Sequence, residues 1–566
     1  MITQVFRMRP AVAIGLALAV VGGAPALAQS TGSSTQTPGT TAATVAPAPA
    51  IAPLSPEAQA LKTALERKLG ANSTAIAAYA AGSFKPIWTD GEGRATDAAK
   101  VLVETLQRAG DHALPEEKYG GAGLAGRLAT AGGAGLEADL AHAFLLYARD
   151  IGAGILDPRS VDRELHIYPE AADEGDLIRR AQDATDMAAL LVSLEPQDPV
   201  YRRLVERFAA FRSVNASNIW GEAVAKGRTM RPGERSQRVA QVRARLTAMG
   251  DLDPNVYDTP TATAKAADGT QVATAEVKTD APVLAYDPTH FDDRMVEALQ
   301  SFQARHGLNL DGVIGPATLR QINVSPSTRA EQIAVNLERM RWMNQDLGQK
   351  HILVNLAGFT MDVMNEGQSE FSQRVVIGKA QKHRTPEFSD EMDHMVVNPS
   401  WYVPTSIAQK EILPKLEHDP DYMTKRGMRM VNGRIIQRPG RRNALGTVKF
   451  MFPNRFAIYL HDTPSKRLFQ RDVRAYSHGC VRVEKPHEFA AYLLAAQQDD
   501  PAGYFQSVLR RGRERRVNLE EPLPVHITYR SAWIDENGVE QFRGDIYGRD
   551  RKIAAALKGA GVTIFR

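Results

Sequence analysis

A single cysteine, Cys480, limits how this 566-residue chain can be held together. A lone thiol has no partner within the chain, so no internal disulfide can stabilise any part of the fold. Stability has to come from buried hydrophobic cores, and a hydrophobic content of 43% is sufficient to form them. The length indicates several domains.

The first 28 residues have the pattern of an export signal. Arg7 and Arg9 precede the apolar stretch 11–23, which is too short to span a bilayer comfortably, and the Ala-Leu-Ala of 26–28 is a small-x-small cleavage site. The alternative is an uncleaved membrane anchor. No cysteine follows the apolar stretch, which excludes a lipid anchor of that kind. We therefore expect an exported chain with no transmembrane helix after cleavage.

The charge of the chain gives no argument for nucleic acid as a partner. The predicted signal contributes two arginines and no acidic residue, so its removal lowers the formal net charge from +4 to +2. Nucleic-acid-binding domains are usually far more basic.

The surroundings of the thiol indicate a nucleophile. Cys480 lies in the run Tyr-Ser-His-Gly-Cys-Val-Arg of 476–482, and His461 ends an alternating segment 456–460. An unpaired thiol is a liability in an oxidising compartment, and thiol catalysis needs a base nearby. His461 is the candidate base and ion-pair partner, whose imidazolium would lower the thiol pKa from about 8.5. His478 is a second candidate base, with a loop-shaping role as its alternative. The alternative for Cys480 itself is a buried small hydrophobe.

Residues around the thiol are candidates for binding the substrate. Gly479 lets the backbone approach a substrate closely, and the N–H groups of Gly479 and Cys480 could bind an oxyanion. The candidate substrate-binding residues are Arg482, Tyr459, Trp401 and Ser477. Arg482 could bind a carboxylate or form a structural ion pair, and the two aromatic residues could equally belong to a core. No metal-ligand spacing lies near the motif, so we expect no metal.

Composition and periodicity divide the chain into segments. The predicted segments are the signal 1–28, a disordered linker 29–55, a helical scaffold domain 56–230, a small helical domain 234–324 with an insertion 252–285, a strand-rich catalytic domain 328–550 with a capping subdomain 402–446, and a C-terminal segment 551–566. Helical spacing dominates the scaffold, whereas alternating runs dominate the catalytic domain and predict a mainly antiparallel sheet. The capping segment breaks the strand pattern, and we interpret it as a lid or a peripheral decoration.

Two motifs resemble known families. The Asp-Gly-x-x-Gly-Pro-x-Thr string of 311–318 resembles the three-helix peptidoglycan-binding domain, which either binds glycan here or serves only as support. His461 together with 477–482 resembles the signature of the L,D-transpeptidase catalytic domain. Segment 382–386 also resembles that family, although Glu387 stands where many members have glycine. Segments 401–407 and 411–415 resemble its large periplasmic subgroup.

The resemblance implies an α+β multidomain enzyme of the periplasm: a mainly antiparallel β catalytic domain, a helical scaffold and a small three-helix peptidoglycan-binding domain. It implies that a main-chain carbonyl orients His461 and that no cofactor is needed. Cys480 would attack the diaminopimelate carbonyl of a tetrapeptide stem, release D-alanine, and pass the acyl group to a second diaminopimelate in a 3→3 cross-link. Peptidoglycan is then the partner as both donor and acceptor. The sequence does not identify protein partners.

Three alternatives remain open from the residues. Water could resolve the thioester and make the protein a carboxypeptidase or endopeptidase, or an envelope protein could be the acceptor. A wall-binding scaffold with an inactive catalytic domain is the non-enzymatic alternative, which the pair of His461 and Cys480 disfavours.

Overall fold

The computed structural model describes residues 54–129, 132–217, 219–253 and 287–565. The predicted signal peptide, all but the end of the predicted linker and most of the predicted insertion 252–285 lie outside the described residues. Within the described ranges, no helix combines the length and the apolar character needed to cross a membrane.

The first part of the chain that the structure describes contains nine α-helices. They are α1 (Pro56–Leu69), α2 (Thr74–Ala81), α3 (Asp97–Gln107), α4 (Gly121–Leu128), α5 (Ala134–Ala153), α6 (Pro158–Val161), α7 (Glu174–Asp183), α8 (Met187–Ser193) and α9 (Pro199–Ser217). Helix α1 begins with a serine cap, since the Ser55 hydroxyl accepts a hydrogen bond from the Ala58 N–H at 3.2 Å and Pro56 occupies the first helical position.

The buried carboxylate of Glu137 on α5 connects the helices to an extended segment. It accepts hydrogen bonds from the Tyr79 hydroxyl at 2.9 Å, the Ile87 N–H at 2.7 Å, the Trp88 N–H at 2.8 Å and the Thr89 hydroxyl at 3.0 Å. Burial raises the pKa of Glu137, and these hydrogen bonds oppose the rise. One side chain thus holds α2, the extended segment and α5 together.

The small helical domain contains α10 (Gln237–Ala248), α11 (Asp293–Arg305) and α12 (Pro316–Ile322). Helix α10 is amphipathic and buries Val239, Val242 and Leu246, and Gly250 follows it with a φ of +80°. Helix α12 starts at Pro316, which occupies the first helical position.

Helix α13 (Pro326–Trp342) packs chiefly against α9 and belongs to the core of the scaffold helices. The predicted catalytic domain 328–550 included nearly all of this helix. Its buried residues in that core are Ala330, Ile333, Ala334, Val335, Leu337 and Trp342. Because α13 belongs to the scaffold core, the scaffold extends beyond the predicted boundary near residue 328.

The catalytic half is built on strands, three of which lie in the capping segment. They are β1 (Lys350–Asn355), β2 (Thr360–Asn365), β3 (Gln368–Gly378), β4 (Phe388–Val397), β5 (Trp401–Tyr402), β6 (Met428–Val431), β7 (Arg434–Gln437), β8 (Val448–Met451), β9 (Leu460–His461), β10 (Ala475–Ser477), β11 (Val481–Val483) and β12 (Arg515–Thr528). Glu366 and Gly367 both have positive φ, so β2 and β3 are joined by the type of hairpin turn that matches strand twist.

Nine strands form one sheet in the order β10-β3-β11-β9-β8-β4-β12-β1-β2, and β2 also pairs with β3. The sheet therefore closes on itself. Most pairs are antiparallel, as predicted, whereas β1 with β12, β9 with β11 and β3 with β10 are parallel. Helices α17 (Pro486–Leu494) and α18 (Pro501–Arg510) contribute Phe489 and Phe505 to its core.

The capping segment folds as a unit of its own. Strands β5, β7 and β6 form a small sheet beside α14 (Thr405–Ile407), a π-helical turn (Ala408–Ile412), α15 (Leu413–His418) and α16 (Tyr422–Lys425). A separate hydrophobic cluster of Val403, Ile412 and Ile435 lies between them. The chain returns to the main sheet at Thr447, whose N–H and hydroxyl donate to the Asp462 carboxylate at 2.9 Å and 2.8 Å.

The C-terminal region returns to the scaffold. The hairpin β13 (Ala532–Ile534) and β14 (Glu540–Phe542) and helix α19 (Arg549–Gly559) place Ala532, Phe542, Ile553 and Leu557 in the scaffold core. The predicted catalytic domain is therefore flanked on both sides by segments that pack into the scaffold.

Replacing Glu137 by alanine should lower the free energy of unfolding of the scaffold by about 3 kcal/mol, because the Ile87 and Trp88 N–H groups would lose their acceptor. Chemical unfolding followed by tryptophan fluorescence measures this. Exposed Glu92, which pairs with Arg94 at the surface, is the control, and Glu92→Ala should change stability by less than about 0.5 kcal/mol. Equal effects of the two substitutions would contradict the role given to Glu137.

Candidate active site

Cys480 lies in the turn between β10 and β11, where the closed sheet meets the capping segment. Its Sγ donates to the Ala457 carbonyl at 3.6 Å. The residue remains partly accessible, although protein atoms surround most of the thiol. Because β11 pairs with β9 on one side and β3 on the other, the backbone after the thiol is held on both edges.

His461 lies at the end of β9, buried beside the strand that follows the thiol. In the register of β9 and β11 it is opposite Arg482. Its Nδ1 is 2.5 Å from the carbonyl oxygen of Asp462. A carbonyl only accepts, so Nδ1 carries the proton and Nε2 carries the lone pair. The acceptor is thus a main-chain carbonyl, and Nε2 is the atom available as a base.

The carboxylate of Asp462, unlike its carbonyl, binds residues other than His461. Besides holding Thr447, its Oδ1 accepts from the Lys466 Nζ at 2.8 Å. The side chain thus anchors the point where the capping segment returns.

Two cations lie beside the thiol. Arg482 follows it on β11, and its Nε is buried with no hydrogen-bond partner among the described residues. Lys449 is opposite His461 in the register of β8 and β9, and its Nζ lies 5.6 Å from the centroid of the Tyr459 ring. Burial lowers the pKa of both cations, and the charge of Cys480 opposes this effect. Sequence reasoning missed Lys449, which a β-strand pattern alone does not distinguish from a solvated lysine.

Tyr459 lies between the nucleophile and the histidine. Its ring centroid is 5.7 Å from that of His461. Burial raises the pKa of Tyr459, and the charge of Cys480 and a hydrogen bond between the two side chains raise it further. This predicted pocket residue therefore contacts the thiol.

The expected pairing of a thiolate with an imidazolium is wrong for the free protein. Burial raises the pKa of Cys480 to about 11, against the opposing hydrogen bonds from Tyr459 and the charges of Arg482 and Lys449. Burial also lowers the pKa of His461 to about 3, helped by the charge of Arg482. Both groups are neutral at pH 7, because desolvation disfavours either charged form.

Two backbone N–H groups, those of Gly479 and Cys480, were predicted to bind an oxyanion. In the structure the N–H of Gly479 is already used within the turn. Gly479 has a φ of +117°, a region that side chains rarely adopt. Its N–H donates to the Ser477 hydroxyl at 3.1 Å, and that hydroxyl donates to the Cys480 carbonyl at 2.5 Å. Ser477 therefore shapes the turn instead of facing a substrate, and the N–H of Cys480 is the candidate oxyanion donor.

His478 is directed at the capping segment. Its Nε2 is 2.5 Å from Oε1 of Glu411 in the π-helical turn, and its ring centroid is 4.6 Å from that of His383. Burial raises the pKa of Glu411, but the hydrogen bond and charge of His478 and the charges of nearby lysines lower it overall. Glu411, 67 residues away in sequence, was not predicted at the site. Of the two alternatives given for Trp401, the structure shows the core position, since its side chain packs against the cluster in the capping segment.

The alkylation rate of Cys480 by iodoacetamide should rise steadily from pH 7 towards a midpoint near 11, because a raised pKa leaves little thiolate at neutral pH. The measurement is the pseudo-first-order rate of mass gain across this range. A rate that is already at its plateau at pH 7 would show a thiolate–imidazolium pair and contradict the neutral site.

Comparison with known proteins finds three family models that match parts of the chain. A model of the L,D-transpeptidase catalytic domain matches residues 349–513, a scaffold-domain model matches 73–207, and the model named "Putative peptidoglycan binding domain" matches 284–322. A Haemophilus influenzae protein named "Putative L,D-transpeptidase" is 32% identical over 255 residues, which are 41% of this chain and 50% of that protein. The chain thus spans about half the length of this curated relative.

Solved structures of L,D-transpeptidases are more distant. One from Mycobacterium smegmatis is 13% identical with a TM-score of 0.18, and the match covers 32% of this chain and 58% of that one. One from Stackebrandtia nassauensis is 12% identical with a TM-score of 0.20, and the match covers 54% and 96%. Such values do not locate any residue of this chain. The chain therefore carries, in this order, a scaffold domain, a peptidoglycan-binding domain and an L,D-transpeptidase catalytic domain.

Proposed function

We propose that the protein is a periplasmic L,D-transpeptidase that forms 3→3 cross-links between diaminopimelate residues of peptidoglycan stems through a thioester on Cys480. The observation that carries the proposal is the pairing of β9 with β11 inside the matched catalytic domain. It supports His461 as the base, because the Asp462 carbonyl leaves the lone pair of that histidine on Nε2.

In the first half-reaction, Cys480 Sγ attacks the carbonyl carbon of diaminopimelate in a tetrapeptide donor. The thiol proton passes to Nε2 of His461 as the sulfur–carbon bond forms, so neither group is charged before the attack. The N–H of Cys480 donates to the oxyanion. The carbon–nitrogen bond then breaks, D-alanine leaves with the proton from His461, and a thioester remains.

In the second half-reaction, the side-chain amine of an acceptor diaminopimelate attacks the thioester. His461 takes a proton from the amine as the new amide bond forms, and returns it to the departing Cys480 sulfur. The free thiol and the neutral imidazole are restored. No external oxidant or reductant is required.

The charge of the site favours an anionic substrate. The side chains of Arg482 and Lys449 both lie close enough to Cys480 to lower its pKa, and the Nε of Arg482 is buried with no hydrogen-bond partner in the part of the chain that the structure describes. A stem peptide carries carboxylates on diaminopimelate and on the terminal D-alanine. Binding them to a guanidinium in a partly desolvated pocket is favourable, since charge-assisted hydrogen bonds are the stronger ones.

Two other parts of the chain support a wall polymer as the substrate. The capping segment contacts the catalytic turn through Glu411 and His478, which suits a lid over a bound peptide. We propose that domain 234–324 adds a weak contact to the same polymer and raises the effective concentration of stem peptides. The predicted signal peptide is consistent with a periplasmic location.

Hydrolysis and attachment to an envelope protein use the same acyl-enzyme. They differ only in the acceptor that reaches the thioester, so they are outcomes of the following test.

Incubation of the full chain with purified disaccharide-tetrapeptide should yield cross-linked dimers and free D-alanine in equal amounts. The reason is that each thioester releases one D-alanine and is resolved by one acceptor amine. Liquid chromatography with mass spectrometry quantifies both products.

Cys480→Ser is the control and should form neither product, because a hydroxyl is far less acidic than a thiol. D-alanine with tripeptide and no dimer would instead identify a carboxypeptidase. Turnover by Cys480→Ser would contradict the cysteine mechanism.

A further inference from the structure

A buried threonine lies directly behind the catalytic turn. Thr385 is fully buried in the loop between β3 and β4. Its hydroxyl donates to the Gly479 carbonyl at 2.7 Å and accepts from the Gly378 N–H at 3.1 Å. The mechanism above gives it no part in the reaction.

The carbonyl that Thr385 holds belongs to the same peptide group as the candidate oxyanion donor. Gly479 C=O and Cys480 N–H are the two ends of one peptide bond, and the described residues contain no cis peptide. In a trans peptide these two groups point in opposite directions within one plane. A hydrogen bond that fixes the carbonyl of Gly479 therefore also fixes the direction of the N–H of Cys480.

This constraint matters because the Thr385 hydroxyl acts directly on the Gly479–Cys480 peptide group. Glycine tolerates a wide range of φ, and Gly479 already has a φ of +117°. A hydrogen bond to the carbonyl also polarises the peptide and strengthens its N–H as a donor. Since the N–H of Gly479 is taken by Ser477, orientation of the remaining donor depends on the Thr385 bond.

Thr385 is itself held rigidly. Its N–H donates to the Tyr547 hydroxyl at 3.2 Å, and its carbonyl accepts from Nη2 of Arg549 at 2.9 Å. The Tyr547 hydroxyl donates to the Gly378 carbonyl at 2.7 Å. Pro386 follows, which restricts the backbone of the residue before it. These contacts fix the backbone position from which the Thr385 hydroxyl reaches the Gly479 carbonyl.

We propose that Thr385 is a positioning residue that aims the N–H of Cys480 at the oxyanion formed during acylation. The proposal rests on the acyl-enzyme of the proposed function. Two effects are then separable. Thr385 should not influence the intrinsic reactivity of the Cys480 thiol, but it should influence how well the tetrahedral intermediate is stabilised.

The test compares two reagents on Thr385→Val. Acylation by a carbapenem passes through a tetrahedral oxyanion, whereas alkylation by iodoacetamide does not. The second-order rate of carbapenem acylation, followed by intact mass, should fall at least about tenfold, because oxyanion donors contribute 10²–10³ in rate. The rate and pH profile of iodoacetamide alkylation should stay within about twofold of the wild type, since the thiol surroundings are unchanged.

Two further variants serve as controls. Thr385→Ser keeps the hydroxyl and should acylate within about threefold of the wild type. Thr528→Val removes a buried hydroxyl of the same sheet, which donates to the Val354 carbonyl at 3.2 Å away from the catalytic turn, and should leave acylation unchanged. Should Thr385→Val fail to fold, judged by its melting temperature, Tyr547→Phe loosens the same loop and should lower acylation without changing alkylation.

Acylation of folded Thr385→Val within threefold of the wild type would overturn the proposal. So would an equal loss of acylation and alkylation, or a Thr385→Ser variant as slow as Thr385→Val. Where Tyr547→Phe carries the test, unchanged acylation is the result that overturns it. A wild-type protein that the carbapenem does not acylate would instead contradict the proposed function.

Discussion

The buried guanidinium of Arg549 connects the three parts of the chain that meet behind the catalytic turn. Its Nη1 donates to Oε1 of Glu387 at 2.8 Å, and its Nη2 donates to the Thr385 carbonyl at 2.9 Å and to Oε2 of Glu164 at 3.3 Å. Arg549 begins α19, whose apolar face packs in the scaffold core, while Glu164 precedes a segment that pairs with the backbone of Glu387. Removing one partner of such a buried pair typically costs 3–5 kcal/mol, because a charge is left uncompensated.

This arrangement explains why scaffold and catalytic segments alternate along the sequence. The loop that carries Thr385 is held on one side by β3 and β4 and on the other by residues from the scaffold and the C-terminal helix. The N–H of His166 donates to the Glu387 carbonyl at 2.8 Å, and the N–H of Glu387 donates to the Glu164 carbonyl at 3.0 Å. The scaffold is therefore part of the support of the active site.

Desolvation controls the chemistry of that site. A buried thiol and a buried imidazole are both neutral, and the cations of Arg482 and Lys449 do not lower the thiol pKa enough to reverse this. A resting neutral thiol is also less prone to oxidation than a thiolate. Proton transfer to His461 is then coupled to attack on a carbonyl, so the thiolate does not accumulate without substrate.

The sequence predicted the features that depend on local order. The thiol motif and the histidine at a strand end are both read from neighbouring residues. Glu366 and Gly367 adopt positive φ because the turn needs it, and that need is visible in the sequence.

Features that depend on distant packing could not be predicted in this way. The pKa of the Cys480 thiol is raised, where a lowered pKa was expected, because burial depends on the whole fold. Glu411 reaches His478 across 67 residues, and Trp401 packs in the cap because β5 pairs with β7. Glu387 was noted only as a departure from a family pattern, whereas the structure gives it the partner Arg549 from 162 residues away.

The role of His461 is tested most directly by comparing His461→Ala and His478→Ala in carbapenem acylation at about pH 7 and about pH 9.5. Loss of the base should slow His461→Ala by about 10²-fold or more at neutral pH. The higher pH should restore part of the rate, because more thiolate forms without a base. His478→Ala, whose imidazole contacts the cap, should remain within about tenfold of the wild type at both pH values. A pH-rescued loss in His478→Ala with an unaffected His461→Ala would contradict this account of the site.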